Sequence, residues 1–125
     1  MNVAIIGCGL IGQKRAKALG SARLAAVADL DFRRAESLAR LYPGVTASTD
    51  WHAMTTGPDV DIVIVATTND ALTPVALDAV RAGKHVLLEK PAARNAAELE
   101  PLIAAAQAAH CLVRVGFNHR YHPAL

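Results

Sequence analysis

The sequence predicts an α/β fold in which helices cover both faces of a doubly wound parallel sheet. Apolar runs of strand length alternate along the chain with stretches of helical spacing, which is the pattern of repeated βαβ units. The runs RLAAVAD at 23–29 and VDIVIVA at 60–66 are nearly continuously apolar. Such runs are typical of parallel strands that are buried on both faces.

Six strands and four helices follow from this alternation. The strands are predicted at residues 2–7, 23–29, 45–47, 60–66, 84–89 and 111–115, and the helices at 10–19, 32–41, 71–82 and 96–109. Right-handed crossovers allow one sheet with strand order 3-2-1-4-5-6. Asn95 and Glu98 match a capping box for the last helix, but Pro101 would then delete a hydrogen bond, so this helix either kinks or begins later.

Composition limits the class of protein. The 125 residues suit one domain, and 53% hydrophobic with 19% charged residues argues against disorder. The net charge of +2 comes from dispersed residues, so we expect no nucleic-acid partner. No apolar run approaches the roughly 18 residues of a membrane span, so we expect no membrane association and a cytoplasmic location. Cys8 and Cys111 lack metal-ligand spacing, so we expect small buried thiols and no metal site.

A glycine-rich motif lies between the first strand and the first helix. Gly7, Gly9 and Gly12 match G-x-G-x-x-G, with Leu10 and Ile11 inside the motif. The three glycines allow a tight turn, a close approach of backbone N–H groups to a pyrophosphate, and close packing of helix on strand. Such a motif is weak evidence alone, but this context predicts a Rossmann dinucleotide-binding loop with the pyrophosphate at the helix N-terminus.

An acidic residue follows the motif at a suitable distance. Asp29 ends the second strand, 17 positions after Gly12, where a carboxylate accepts hydrogen bonds from the adenosine ribose and disfavours a 2′-phosphate. The cofactor is therefore expected to be NAD. A solvated turn aspartate is the alternative. Arg33 and Arg34 follow closely and could reach a 2′-phosphate, so NADP stays possible, although a solvated helical turn is the simpler interpretation.

Polar residues also follow the fourth and fifth strands. Thr67, Thr68 and Asn69 come after the fourth strand, and Glu89-Lys90-Pro91 ends the fifth. Ligands of open α/β sheets bind at the carboxyl ends of the strands, near the point where strand order reverses. Helix capping by Thr or Asn, and a solvated lysine, are the alternatives.

Several segments together resemble one known family. These are the glycine loop, ATTND at 66–70, AGKHVLLEKP at 82–91 and VGFNHRYHPAL at 115–125. In order and spacing they are similar to the N-terminal domain of the glucose-fructose oxidoreductase and inositol dehydrogenase family, Gfo/Idh/MocA. The resemblance extends over the whole chain.

This resemblance implies roles for particular residues. Thr67, Thr68 and Asn69 would line the cofactor, and Glu89, Lys90 and Pro91 would lie near the nicotinamide ribose. The resemblance makes Lys90 the catalytic residue, contacting cofactor and substrate hydroxyls, and implies a peptide bond before Pro91 that is often cis. Asn118, with Arg120, would pass beneath the nicotinamide. The family's histidine three positions after Asn69 is replaced by Leu72. We expect His119 and His122 to lie on the surface.

The resemblance also implies a domain organisation. Residues 1–118 would form the NAD(P)-binding domain and 119–125 the start of a hinge, with the family's C-terminal α/β substrate domain absent. The full-length parent would be a homo-oligomeric NAD(P)-dependent dehydrogenase acting on a secondary hydroxyl of a sugar, cyclitol or sugar nucleotide, and the 125-residue chain alone would be inactive. A nucleotide-binding or regulatory module without catalysis, and another Rossmann enzyme such as a methyltransferase, are the alternatives.

Overall fold

A six-stranded parallel sheet forms the centre of the protein. The computed structural model describes residues 1–117 and 122–124. The strands lie in the order β3-β2-β1-β4-β5-β6, which confirms the predicted topology. Their bounds are β1 Asn2–Ile6, β2 Arg23–Ala28, β3 Thr46–Ser48, β4 Ile62–Val65, β5 His85–Glu89 and β6 Val113–Gly116.

Helices cover both faces of this sheet. They are α1 Leu10–Lys17, α2 Phe32–Ala39, α3 Trp51–Thr56, α4 Asn69–Arg81 and α5 Leu99–Ala109. Successive residues of a strand point to opposite faces. Accordingly, Val3 and Ile5 of β1 pack in one cluster with residues of α1 and α2, while Ala4 and Ile6 pack in the other with residues of α4 and α5. Within the described ranges, no helix has both the length and the apolar character needed to cross a membrane.

The short helix α3 is absent from the sequence prediction. Its six residues, WHAMTT, are too few to show helical periodicity. Its N-cap, Asp50, accepts a hydrogen bond from the Ala53 backbone N–H at 3.0 Å, and Gly57 follows its last residue. The cap and the glycine are the signals that could have revealed it.

The conflict around Pro101 is resolved by a later start of the last helix. A 3-10 turn, Ala96–Glu98, precedes α5, and the Asn95 side chain accepts from the Glu98 backbone N–H at 3.1 Å. The Glu98 carboxylate accepts from the backbone N–H of Arg94, so only half of the predicted capping box forms. Pro101 is the third residue of α5, where a helical N–H has no intrahelical acceptor, and no hydrogen bond is lost.

Candidate functional site

The glycine loop closes tightly against the end of β4. Gly7 has a φ of +98°, and a Cβ there would lie 2.6 Å from the carbonyl carbon of Ala66. A Cβ on Gly12 would lie 3.0 Å from the Gly7 carbonyl carbon and closer still to its oxygen. Both positions therefore exclude any side chain, as the motif predicts. The loop is pinned to β2 as well, because the Gly7 N–H donates to the Ala28 carbonyl at 2.8 Å.

Gly9 differs from the other two glycines because it faces open space. It is the N-cap of α1, and no described atom lies within 4 Å of the position that its Cβ would occupy. Leu10 and Ile11 follow as the first helical residues, with their side chains exposed. The first N–H groups of a helix have no intrahelical acceptor and carry the positive end of its dipole. The loop can thus accept an anion in front of Gly9.

The Asp29 carboxylate is oriented by the backbone on both sides. Its Oδ2 accepts from the Cys8 N–H at 2.9 Å and its Oδ1 from the Asp31 N–H at 2.8 Å. Each carboxylate oxygen has two acceptor positions, so each retains one for a ligand hydroxyl. The half-buried Asp29 thus lies beside the glycine loop, where the sequence predicts it.

Cys8, inside the loop, is a structural thiol. It is fully buried, and its Sγ donates to the Ala28 carbonyl at 3.3 Å. Burial, assisted by the negative charge of Asp29, raises the pKa of the Cys8 thiol to about 12. The thiol therefore stays protonated and is no nucleophile at neutral pH. The expectation of a buried thiol is confirmed for Cys8, whereas Cys111 is only partly buried.

These residues border one cleft at the carboxyl edge of the sheet. Its volume is about 530 Å³. The predicted residues that line it are Gly7, Gly9, Asp29, Thr67 and Thr68. Leu30, Asp31, Arg34, Trp51 and Val75 line it too, although sequence reasoning singled out only Arg34 among them. The cleft therefore brings together residues that follow β1, β2, β3 and β4.

The segment after β4 begins α4. Thr68 is the N-cap, and its hydroxyl donates to the Asp70 carboxylate at 2.6 Å. This hydrogen bond is the main reason that the pKa of Asp70 lies below its usual value. Asn69 is the exposed first residue of α4 and does not line the cleft, while Thr67 does. Leu72, at the position of the family's histidine, is fully buried in the core.

Arg34 lies at the mouth of the cleft beside an acidic partner. Its Nε is 4.0 Å from the Asp31 carboxylate, and both side chains are exposed. Arg33 uses its backbone N–H to donate to the Asp31 carboxylate at 3.0 Å, which caps α2. Of the two arginines, the structure places Arg34 on the cleft.

The Glu89-Lys90-Pro91 segment forms a turn directly after β5. The Ala92 N–H donates to the Glu89 carbonyl at 3.0 Å, and the Thr73 hydroxyl of α4 donates to the Ala92 carbonyl at 3.2 Å. The Lys90–Pro91 peptide is cis, as the resemblance implies. Lys90 is exposed, whereas Glu89 is buried and pairs with Arg15 of α1. None of the three residues lines the cleft, and the segment follows β5, the neighbour of β4 in the sheet.

The last predicted residues fall mostly outside the described ranges. Asn118, His119 and Arg120 lie in the part of the chain that the structure does not describe. His122 is described and exposed, as expected, and its Nδ1 accepts from the Ala124 N–H at 3.1 Å.

Comparison with known proteins points to one family. A family model described as "Oxidoreductase family, NAD-binding Rossmann fold" matches residues 1–117. The chain is 38% identical to inositol 2-dehydrogenase 2 of Saccharopolyspora erythraea over 98% of its own length, and it spans 38% of that relative. The chain therefore represents well under half of the relative's length.

Solved structures give the same result. A levoglucosan dehydrogenase in complex with NADH and L-sorbose superposes with a TM-score of 0.88 and 28% identity, over 96% of this chain and 36% of that one. A biliverdin reductase from Synechocystis, solved with biliverdin and NADP+, superposes with a TM-score of 0.84 and 30% identity, over 91% of this chain and 37% of that one.

Proposed function

The chain belongs to the Gfo/Idh/MocA oxidoreductases as their NAD-binding Rossmann domain, and we propose that it is the cofactor half of an enzyme that moves hydride between NAD and a secondary hydroxyl. The observation that carries this proposal is the single cleft bordered by the glycine loop, Asp29 and Thr67–Thr68. In open α/β sheets, dinucleotides bind where strand order reverses. Here that point lies between β1 and β4.

The cleft suits the adenosine diphosphate part of the cofactor. The N–H groups of Gly9, Leu10 and Ile11, at the N-terminus of α1, would hold the pyrophosphate, with Gly12 allowing α1 to start so close to the loop. Asp29 would accept hydrogen bonds from the adenosine ribose, and Trp51 would border the adenine. The fixed carboxylate favours NAD, because a 2′-phosphate would meet a like charge. Among the described residues that line the cleft, Arg34 is the one cation, and it keeps NADP binding possible.

The nicotinamide end would lie toward the turn after β5. Asn69, Glu89, Lys90, Pro91 and Asn118 are the residues we assign to it, by their match to the family pattern. When bound, the nicotinamide supplies the hydride acceptor. The Lys90 ammonium, exposed at this edge, would donate a hydrogen bond to the substrate hydroxyl and stabilise the negative charge that develops on its oxygen.

We further propose that substrate selection and the rest of the catalytic site lie outside residues 1–118. The chain spans 38% of the inositol dehydrogenase that it matches. Inositol 2-dehydrogenase and levoglucosan dehydrogenase act on cyclitol and sugar substrates, as their names state. Sugars, cyclitols and sugar nucleotides are therefore the substrate classes we propose for the whole enzyme, which we expect to be a homo-oligomer. Segment 119–125 would start the hinge to that second domain.

Binding of NADH by the 125-residue chain tests the proposal. Trp51 is the only tryptophan of the sequence and lines the cleft, so its fluorescence should change when the cofactor binds. Calorimetry should give a dissociation constant in the micromolar to millimolar range, which corresponds to a binding free energy on the order of −4 to −8 kcal/mol. Absence of both heat and a fluorescence change at millimolar NADH would refute the assignment of the cleft. If the chain binds NADH but an enzyme-length parent shows no redox activity on any polyol, a regulatory module would be favoured instead.

A further inference from the structure

Arg15 joins the two halves of the proposed cofactor site. Its guanidinium on α1 forms an ion pair with the carboxylate of Glu89, the last residue of β5. The contact reaches past β4, which separates β1 from β5 in the sheet. The two side chains are only 18% and 11% exposed, so the pair is largely shielded from water. The helix that starts at the glycine loop is thereby connected to the turn that carries Lys90.

The end of β6 leaves room for this ion pair. Gly116 is the register partner of Glu89. A Cβ at position 116 would lie 2.9 Å from Arg15 Nη2 and 3.2 Å from Glu89 Oε2, so the glycine leaves the two charged groups the space they occupy. The two charges therefore lie where α1, β5 and β6 meet.

The pair determines which charge remains available at this edge. The Lys90 ammonium has no hydrogen-bond or ion-pair partner within residues 1–117 and 122–124. Glu89 is its immediate neighbour in sequence, and an uncompensated carboxylate there would attract it. A guanidinium is the stronger partner for a carboxylate, because its planar donors match both oxygens. Arg15 Nε pairs with Glu89 Oε1, while Lys90 has no such partner among the described residues.

We propose that Arg15 is a positioning residue, which holds the Glu89 carboxylate away from Lys90 so that the ammonium stays available to the nicotinamide ribose and the substrate hydroxyl. This proposal rests on the proposed function. Arg15 then acts through Glu89 and is not itself a ligand contact. No local sequence pattern marks Arg15, since 74 positions separate it from its partner.

Two ligands separate this role from a general effect on the fold. ADP contains the adenosine and both phosphates but no nicotinamide ribose, whereas NADH contains all of them. Calorimetric dissociation constants for both ligands would be measured with the wild-type chain, Arg15→Met, Arg15→Met/Glu89→Gln and Lys17→Met. Lys17 is exposed on the same helix, so Lys17→Met removes the same positive charge without touching Glu89.

Arg15→Met should weaken NADH binding about three- to ten-fold, the value of one hydrogen bond to a ligand, and leave ADP binding within about two-fold of wild type. Lys17→Met should change both ligands equally and slightly. The double variant should regain most of the lost NADH affinity, because a neutral amide does not compete for Lys90. If Arg15 only supported the fold, the double variant would bind NADH at least as weakly as Arg15→Met does.

A double variant that stays as weak as Arg15→Met, or an Arg15→Met variant that loses ADP and NADH equally, would overturn the proposal. If the wild-type chain binds neither ligand, the proposed function fails and this proposal fails with it. Arg15→Gln also removes the positive charge but keeps a polar side chain, so it serves if Arg15→Met does not fold. It should weaken NADH binding and spare ADP binding, and unchanged NADH affinity in a folded Arg15→Gln chain would also overturn the proposal.

Discussion

Replacing Asp29 with asparagine removes one negative charge from the adenosine end of the cleft and keeps the size of the side chain. In the folded protein, both carboxylate oxygens already accept a backbone N–H, at 2.9 and 2.8 Å. An amide has only one oxygen, so one of these two donors loses its acceptor. We expect the free energy of unfolding to fall by about 1–3 kcal/mol, the cost of one unsatisfied donor.

The effect on cofactor choice should exceed the effect on the fold. Hydrogen bonds to a charged acceptor contribute about 1.5–3 kcal/mol, and each 1.4 kcal/mol is a factor of ten. The dissociation constant for NAD should therefore rise roughly ten- to hundred-fold in Asp29→Asn. The constant for NADP should stay the same or fall, because the 2′-phosphate no longer faces a carboxylate and Arg34 remains nearby.

Calorimetric titration of both cofactors, beside urea denaturation, measures the two effects separately. Asp61→Asn is the matched control. Its carboxylate also accepts a backbone N–H, from Asn2 at 2.7 Å, but it lies at the opposite edge of the sheet, before β4. Asp61→Asn should lose some stability and keep the wild-type ratio of NAD to NADP affinity. If that ratio is unchanged in Asp29→Asn as well, the assignment of Asp29 to the adenosine ribose is wrong.

Three further outcomes are expected. Gly12→Ala should lower the unfolding midpoint and abolish NAD binding, because its Cβ would overlap the backbone of the loop, whereas Gly9→Ala should keep the midpoint and lose affinity only, since its Cβ would enter the open cleft; equal losses of midpoint in thermal denaturation would contradict this. Burial raises the pKa of the Cys8 thiol from 9.0 to about 12, so the unfolded chain loses a proton that the folded chain keeps. As the pH rises from about 9 to about 12, the free energy of unfolding should fall by up to about 1.4 kcal/mol per pH unit more in the wild type than in Cys8→Ala. If urea denaturation gives the same pH dependence of this free energy for both proteins, the pKa shift is contradicted. The 125-residue chain should form no NADH from sugars or inositols even with Lys90 intact, since the proposed substrate-holding part is outside it and positioning supplies several kcal/mol of the barrier reduction; absorbance at 340 nm would detect any turnover, and a rate near that of an enzyme-length relative would refute the two-domain proposal.

Local signals were sufficient for most of the fold. Strand-length apolar runs and the turns between them predicted all six strands, and the rule of right-handed crossovers ordered them correctly. The glycine loop and Asp29 were predictable because each role depends on a backbone requirement at one position: no room for a Cβ at Gly7 and Gly12, and a carboxylate at the end of β2. Helix α3 was missed, because six residues form less than two turns and show no period.

The amino-acid sequence by itself determined the alternation of strands and helices, the glycine loop and the acid that follows it. Each of these features depends on residues that are close together in the sequence. Only the tertiary structure decided which residues share the cleft and which charges pair. Trp51 and Arg34 line the cleft beside Gly9 because β2 and β3 end at the same edge of the sheet as β1. The pairing of Arg15 with Glu89 requires α1, β5 and β6 to meet at one point. Contacts between residues so far apart in sequence depend on the packing of the whole sheet, which no local pattern specifies.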